Sequence, residues 1–307
     1  MSKFIICFFS LILLGGFNRM TAQEFIPLWP DGKMPDSKGL TLTDSISGER
    51  YWRVGTPGMF AFFPSKEENN GTSVIICPGG GYHHYAYIIS GTQIARWFTT
   101  MGINAFVLIS RLPTSPDLID RSVAPLQDAQ RAIRIIRTNA IKWHLKTDKT
   151  GIMGFSAGGH VASSLGTHTE DVSGIDDSLD RVSFRPDFML LVSPVITMGE
   201  YAHAGSKNNL LGKLPPKELI EKYSSELRVT DKTPPAFIVV AGNDKTVNPQ
   251  NSLMFYEALR AKNISASLHV FPSGGHSIGL LNNPGSTALW KELCKTWLVE
   301  MGFADIR

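Results

Sequence analysis

Residues 151–168 read GIMGFSAGGHVASSLGTH, and Ser156 stands there with Gly154 two places before it and Gly158 two places after. The run KTGIMGF has the character of a buried strand and AGGHVASSLG opens a helical pattern, so the serine falls on a strand-to-helix turn. A side chain exposed on so sharp a turn needs a strained backbone, and glycines at those two offsets remove the Cβ atoms that would collide. The chemistry implied is attack by the serine oxygen on a carbonyl carbon. The competing explanation is a helix start in which Ser156 is an N-cap and the glycines serve only close packing.

A serine hydroxyl is a poor nucleophile near neutral pH, so the attack requires a histidine base and an acid to orient it. Asp244 follows the apolar run FIVVAG, at the strand end where ligands bind in open α/β sheets, and a helical pattern over 249–262 follows it. An aspartate in an Asn-Asp turn can also be plain loop chemistry. His276 comes later, in the glycine-rich loop SGGHSIGL after the last apolar run. The order Ser156, Asp244, His276 is that of a triad built on strand ends. His269 lies inside a strand pattern and is read as a packed or surface histidine.

A fourth element is PGGGYHHYAY, directly after the apolar run SVIIC. Acyl transfer builds negative charge on the carbonyl oxygen, and fixed backbone N–H groups stabilise it. Gly79, Gly80 and Gly81 let main-chain amides face a ligand, and the amide of Ala157 would complete the oxyanion hole. A phosphate loop is the other use of such glycines, but no Gly-Lys-Ser/Thr follows.

These residues need a frame. From residue 72 onward, short runs rich in Val, Ile and Phe (TSVIIC, INAFVLIS, KTGIMGF, DFMLLVSPV, PAFIVVAG, ASLHVF) alternate with helical patterns. The clearest helix is 123–139, where Leu126, Ala129, Ile133 and Ile136 share one face and Arg131, Arg134 and Arg137 fall elsewhere. The alternation predicts an α/β fold with a mostly parallel central sheet flanked by helices. ERYWRV and MFAFFP read as one or two antiparallel edge strands before the wound region. Residues 196–234 break the alternation, with a short helical piece at 216–223, and are expected to form a lid-like insertion.

Composition excludes several classes. The chain has 307 residues, 43% hydrophobic and 19% charged, enough for one large domain. Residues 1–22 read as a signal peptide: Lys3, an apolar run over 4–14, then small residues to Ala22. An uncleaved anchor is the alternative, because Met20 is a poor residue three before that cut. The expected domain is then 23–307, secreted or periplasmic, without stable membrane insertion once the leader is cleaved. The chain holds 30 basic and 27 acidic residues, and the leader carries Lys3 and Arg19 but no acid, which leaves the remainder near neutral. Nothing in that balance calls for a nucleic-acid partner. Outside the leader only Cys77 and Cys294 remain, read as buried small residues, with a bridge between them left open.

Taken together, the motifs resemble an α/β-hydrolase of the hormone-sensitive-lipase-like and bacterial acetyl-xylan-esterase-like branch. PGGGY at 78–82 resembles its H-G-G-G-type loop, GFSAGGH its elbow, NDKTVNPQNS its acid loop and GGHSIGL its histidine loop. The resemblance implies a serine esterase that removes acetyl or other short acyl groups, with xylan-type polysaccharide or oligosaccharide as its partner and no cofactor. Ser156 would be the nucleophile, Asp244 the acid, His276 the base, and Gly80, Gly81 and Ala157 the oxyanion donors. Pro78 replaces the usual histidine and puts in question how the loop is pinned. A feruloyl or aryl esterase, a prolyl-oligopeptidase-type peptidase and a non-catalytic binding protein are the rival readings. Tyr82, His83, His84, Tyr201 and His203 are candidate substrate contacts; Tyr85 is weighed with them, loop capping being the alternative. His160 and His168 lack the spacing of a helical zinc pair, and no metal is expected. His160 is read as packed near the elbow, and Arg111 with Asp128 as a structural ion pair.

Overall fold

The computed structural model describes residues 24–305; the expected leader at 1–22 lies outside them. Ten strands form: β1 (Glu24–Pro27), β2 (Ser45–Ser47), β3 (Arg50–Arg53), β4 (Gly58–Phe62), β5 (Ser73–Cys77), β6 (Asn104–Ile109), β7 (Thr150–Phe155), β8 (Met189–Val192), β9 (Ala236–Ala241) and β10 (Ala266–Phe271). Eight α-helices accompany them: α1 (Gln93–Thr99), α2 (Ala124–Thr138), α3 (Ala140–Trp143), α4 (Ala157–Thr167), α5 (Ala204–Leu211), α6 (Lys217–Lys222), α7 (Gln250–Ala261) and α8 (Trp290–Glu300).

Eight strands make one sheet in the order β1-β4-β6-β5-β7-β8-β9-β10. β5 to β10 run parallel, and β4 runs against both of its neighbours. Every residue of β5 to β9 is buried, which is why these runs are continuously apolar rather than alternating. Alternation survives in the direction each side chain takes. Ile75, Ile152, Leu191 and Ile238 enter one core layer with Leu126, Ile133, Leu165 and Phe255. Val74, Ile76, Met153 and Val239 enter the opposite layer with Phe98, Trp290 and Leu298.

Two expectations about the N-terminal segments need correction. MFAFFP supplies β4, an interior strand, with β1 outside it. ERYWRV supplies β3, which pairs with β2 in a separate two-stranded hairpin. Off the apolar stripe of α2, as the helical period predicts, Arg131 and Arg134 are nevertheless only 2% exposed. Arg131 pairs with Asp177 at 2.5 Å and Arg134 with Asp171 at 2.6 Å, so the loop after α4 covers them. Beneath the sheet edge, Asp128 accepts from Arg111 Nη2 at 2.8 Å and from Trp29 Nε1 at 2.8 Å. That is the structural ion pair expected of Arg111 and Asp128.

The 196–234 segment carries α5 and α6, of which only α6 had a sequence signal. Leu210, Leu211 and Tyr223 are buried in the same layer as α2 and α4, so the segment is anchored to the body. Cys77 and Cys294 are free, buried thiols in opposite core layers, on either side of the sheet. Among the described residues, no helix is long and apolar enough to cross a membrane.

Candidate active site

The parallel strands bring the loops after β5, β7, β9 and β10 to one edge of the sheet, where ligands bind in such folds. Ser156 follows β7 with φ 53° and ψ −122°, a positive-φ conformation rare for a residue with a side chain. A Cβ at Gly154 would strike the carbonyl of Gly158, and one at Gly158 would strike the carbonyl of Cys77. The two glycines therefore let β5, β7 and α4 meet backbone to backbone. Ser156 occupies the N-cap position of α4, yet its side chain caps no amide. The plain N-cap reading fails for that reason.

The hydroxyl is directed to a base instead. Ser156 Oγ lies 2.8 Å from His276 Nε2, and His276 Nδ1 lies 2.7 Å from Asp244 Oδ2. A carboxylate there accepts from Nδ1–H, which leaves Nε2 as the acceptor of the serine proton. The Asp244 side chain is fully buried while that of His276 is 21% exposed. Burial opposes ionisation of Asp244, but the His276 hydrogen bond and the amides of Val247 and Thr246 outweigh it and hold the carboxyl below its usual range. Those amides bond Asp244 Oδ1 at 3.0 and 2.8 Å. Asn243 Oδ1 also accepts from the amide of Gly275 at 2.8 Å, clipping the histidine loop to the acid loop.

Beside the serine runs the glycine loop. Gly80 has φ 143° and Gly81 φ 64°, and a Cβ at Gly80 would overlap the carbonyl of His84. Only glycine fits there. The amides of Gly80, Gly81 and Ala157 donate to no acceptor among the described residues. The question raised by Pro78 has an answer in other groups. The amide of Gly79 donates to Ser90 Oγ at 3.2 Å, the carbonyl of Gly79 accepts from Ala86 at 2.9 Å, and Asn209 Nδ2 donates to the carbonyl of Gly81 at 2.9 Å. Asn209 belongs to α5, so the insertion takes part in holding the loop.

The candidate substrate contacts divide. Tyr82 is 3% exposed and its hydroxyl bonds His160 Nδ1 at 2.7 Å, so it is a loop anchor rather than a substrate contact. Tyr85 is likewise buried, against Ser110 Oγ at 2.6 Å. His83 is exposed and His84 half-buried; both rings lie against Trp52. His203 caps α5 through Ser206, and its ring edge faces Gly81. Burial, and after it the neighbouring His276 imidazole, lowers its pKa, while Asp244 pulls the other way. Tyr201 borders an open cleft of about 450 Å³ that Asp244 and Lys245 also line, on the acid's side of the triad. His269 bonds Ser267 within β10 and His160 packs under the elbow, as expected. Ser90 and Asn209 carry no local sequence signal of these roles, whereas Asn243 stands beside Asp244 in the acid loop.

The BD-FAE family model matches residues 60–259, a span that includes Ser156 and Asp244 and stops before His276. An acetylxylan esterase of Xylanibacter ruminicola is 36% identical over 230 residues, covering 73% of this chain and 44% of the relative. An endo-1,4-beta-xylanase B of Butyrivibrio fibrisolvens is 39% identical over 227 residues, covering 74% of this chain and 35% of the relative. The chain thus spans less than half the length of these two curated relatives. The crystal structure of an acetyl ester-xyloside bifunctional hydrolase from Caldicellulosiruptor lactoaceticus superposes with a TM-score of 0.78 at 35% identity, over 92% of this chain and 97% of that one. With about two thirds of its length matched by the family model and nearly all of it by that structure, the chain belongs to the BD-FAE family of α/β-hydrolases.

Proposed function

We propose that the protein is a carboxylic ester hydrolase that removes acetyl or other short acyl groups from xylan-type saccharides. The carrying observation is the unbroken hydrogen-bond chain Ser156 Oγ, His276, Asp244, beside amides that meet no acceptor among the described residues. As Ser156 Oγ bonds to the ester carbonyl carbon, its proton passes to His276 Nε2. The carbonyl oxygen, now negative, accepts from the amides of Gly80, Gly81 and Ala157. The bond to the sugar oxygen then breaks, and that oxygen takes the proton from Nε2. A water molecule gives a proton to Nε2 and adds to the acyl carbon, Ser156 leaves with the proton, and the carboxylic acid departs.

The saccharide half of the reading is supported by the names of the relatives, an acetylxylan esterase and an acetyl ester-xyloside hydrolase. Location outside the cytoplasm is supported by the leader-like residues 1–22. The test is labelling by a fluorophosphonate probe together with turnover of para-nitrophenyl acetate, acetylated xylan and methyl ferulate. We expect labelling that is lost in Ser156→Ala, with kcat falling by about five orders of magnitude. An unlabelled, inert wild type removes the esterase reading; preference for methyl ferulate moves the substrate to aromatic acyl groups.

A further inference from the structure

The β2–β3 hairpin lies outside the central sheet, yet it is fastened to the glycine loop. Tyr51 N donates to the carbonyl of Tyr85 at 3.0 Å and Tyr85 N donates to that of Tyr51 at 2.9 Å. Strand alternation then turns Tyr51 inward, 5% exposed, and Trp52 outward, 42% exposed. The indole does not swing freely, because Nε1 donates to the carbonyl of Ser47 at 3.1 Å. His84 lies along one face of the ring, centroids 4.7 Å apart and tilted by 34°, and His83 meets it edge-on at 5.6 Å. The carbonyl of the same His84 occupies the space where Gly80 lacks a Cβ. An anchored aromatic face thus stands two residue contacts from the candidate oxyanion amides.

We propose that Trp52, with His83 against its edge and Arg50 two places earlier on the same face of β3, is a platform for the saccharide that carries the ester. A pyranose offers an apolar C–H face to an aromatic ring and hydroxyls to flanking donors, and both complements are here. The indole supplies the face, and the exposed side chains of His83 and Arg50 supply the donors. An aromatic acyl group would ask for an enclosed apolar slot, whereas this ring is open to solvent and bordered by polar groups. The inference rests on the esterase reading and adds to it the residue that selects sugar esters over simple ones.

The experiment compares wild type, Trp52→Ala and Trp52→Phe on acetylated xylo-oligosaccharide and on para-nitrophenyl acetate. The ratio of kcat/KM for the first substrate over the second is expected to fall about tenfold in Trp52→Ala, through KM rather than kcat, and to recover largely in Trp52→Phe. An equal fall on both substrates would make the hairpin a mere prop for the loop and overturn the proposal. So would no change in either. If the wild type hydrolyses no ester at all, the esterase reading fails separately. Titration of unacetylated xylo-oligosaccharide into Ser156→Ala with and without Trp52→Ala then decides: binding that depends on Trp52 upholds the platform, and binding indifferent to Trp52, or none, overturns it.

Discussion

The hydroxyl of Tyr82 donates to Nδ1 of His160 across 2.7 Å, and the opposite ring nitrogen of His160 donates to the carbonyl of Tyr223, also at 2.7 Å. Three elements meet at this one buried imidazole: the glycine loop, the helix behind Ser156 and the insertion. Tyr82 holds φ 61°, which a residue with a side chain keeps only when its surroundings compel it. Removal of the ring should release the loop. In His160→Ala, kcat on para-nitrophenyl acetate should fall about tenfold and stability by about 3 kcal/mol. A variant as stable and as active as wild type would show that the glycine loop holds its shape without this contact.

The same imidazole gives stability a pH dependence. Burial, against the opposing Tyr223 bond, pushes its pKa down to about 4, so folded His160 is neutral while an unfolded histidine begins to take a proton below about pH 6.5. Its contribution is therefore whole above that value and is lost as pH falls toward 4. Asp244, whose folded pKa is depressed, adds a second loss lower down, once pH drops below the ordinary carboxylate range. Urea unfolding at a series of pH values should show stability declining between about pH 6.5 and 4, with a shallower slope in His160→Gln. Equal slopes would mean that other groups carry the acid sensitivity.

Asn209 tests whether the insertion governs the loop. Its amide donates to the carbonyl of Gly81 at 2.9 Å from the first helix of the insertion. Asn209→Ala should lower kcat/KM for para-nitrophenyl acetate about fivefold while costing only about 1 kcal/mol of stability. Retained kcat/KM would reduce Asn209 to a surface tether.

The elbow glycines make a steric prediction. Gly158→Ala would drive a methyl group into the carbonyl of Cys77, which is backbone and cannot swing aside. We expect a loss of about 3 kcal/mol and a collapse of fluorophosphonate labelling, since β5 and α4 must separate. Normal labelling at normal stability would mean that the elbow relaxes without displacing Ser156.

Asp128 separates structure from chemistry. It is fully buried and joins Arg111 and Trp29. Asp128→Ala should destabilise the fold by about 3 to 5 kcal/mol, because a buried guanidinium loses its partner. The molecules that remain folded should turn over para-nitrophenyl acetate at the wild-type rate; a drop in kcat per folded molecule would bring this pair into the chemistry.

Much of the site was legible in the sequence, for a physical reason. Ser156, Asp244, His276 and the three glycines each sit just past an apolar run, and each carries a local signature of the turn it must make. The contacts without a local signature bind across long separations. Asn209 and Gly81 are 128 positions apart, and no periodicity links them. The phenol of Tyr82 offered an equally good fit to a substrate pocket until the fold brought His160 against it. On α2 the helical period rightly separates the arginines from the apolar stripe, but it cannot foresee that the loop after α4 folds back over them. ERYWRV had strand composition, and its separation from the sheet depended on its pairing with β2 and its bond to Tyr85, neither of which the segment itself encodes.

Cys77 and Cys294 remain, one on each side of an eight-stranded sheet. Native packing keeps both sulfurs from solvent and from each other, and burial raises both thiols well above the ordinary range, so neither of these two is open to oxidation while the fold is closed. Unfolding removes that quarantine. A chain that opens there, even briefly, exposes two thiols able to join to each other or to a neighbour, and a bond made in that state is incompatible with the native sheet between them. Heat inactivation should accordingly reverse more completely with a reductant present than without it, the partition of two sulfurs across a sheet turning a passing opening into a lasting one.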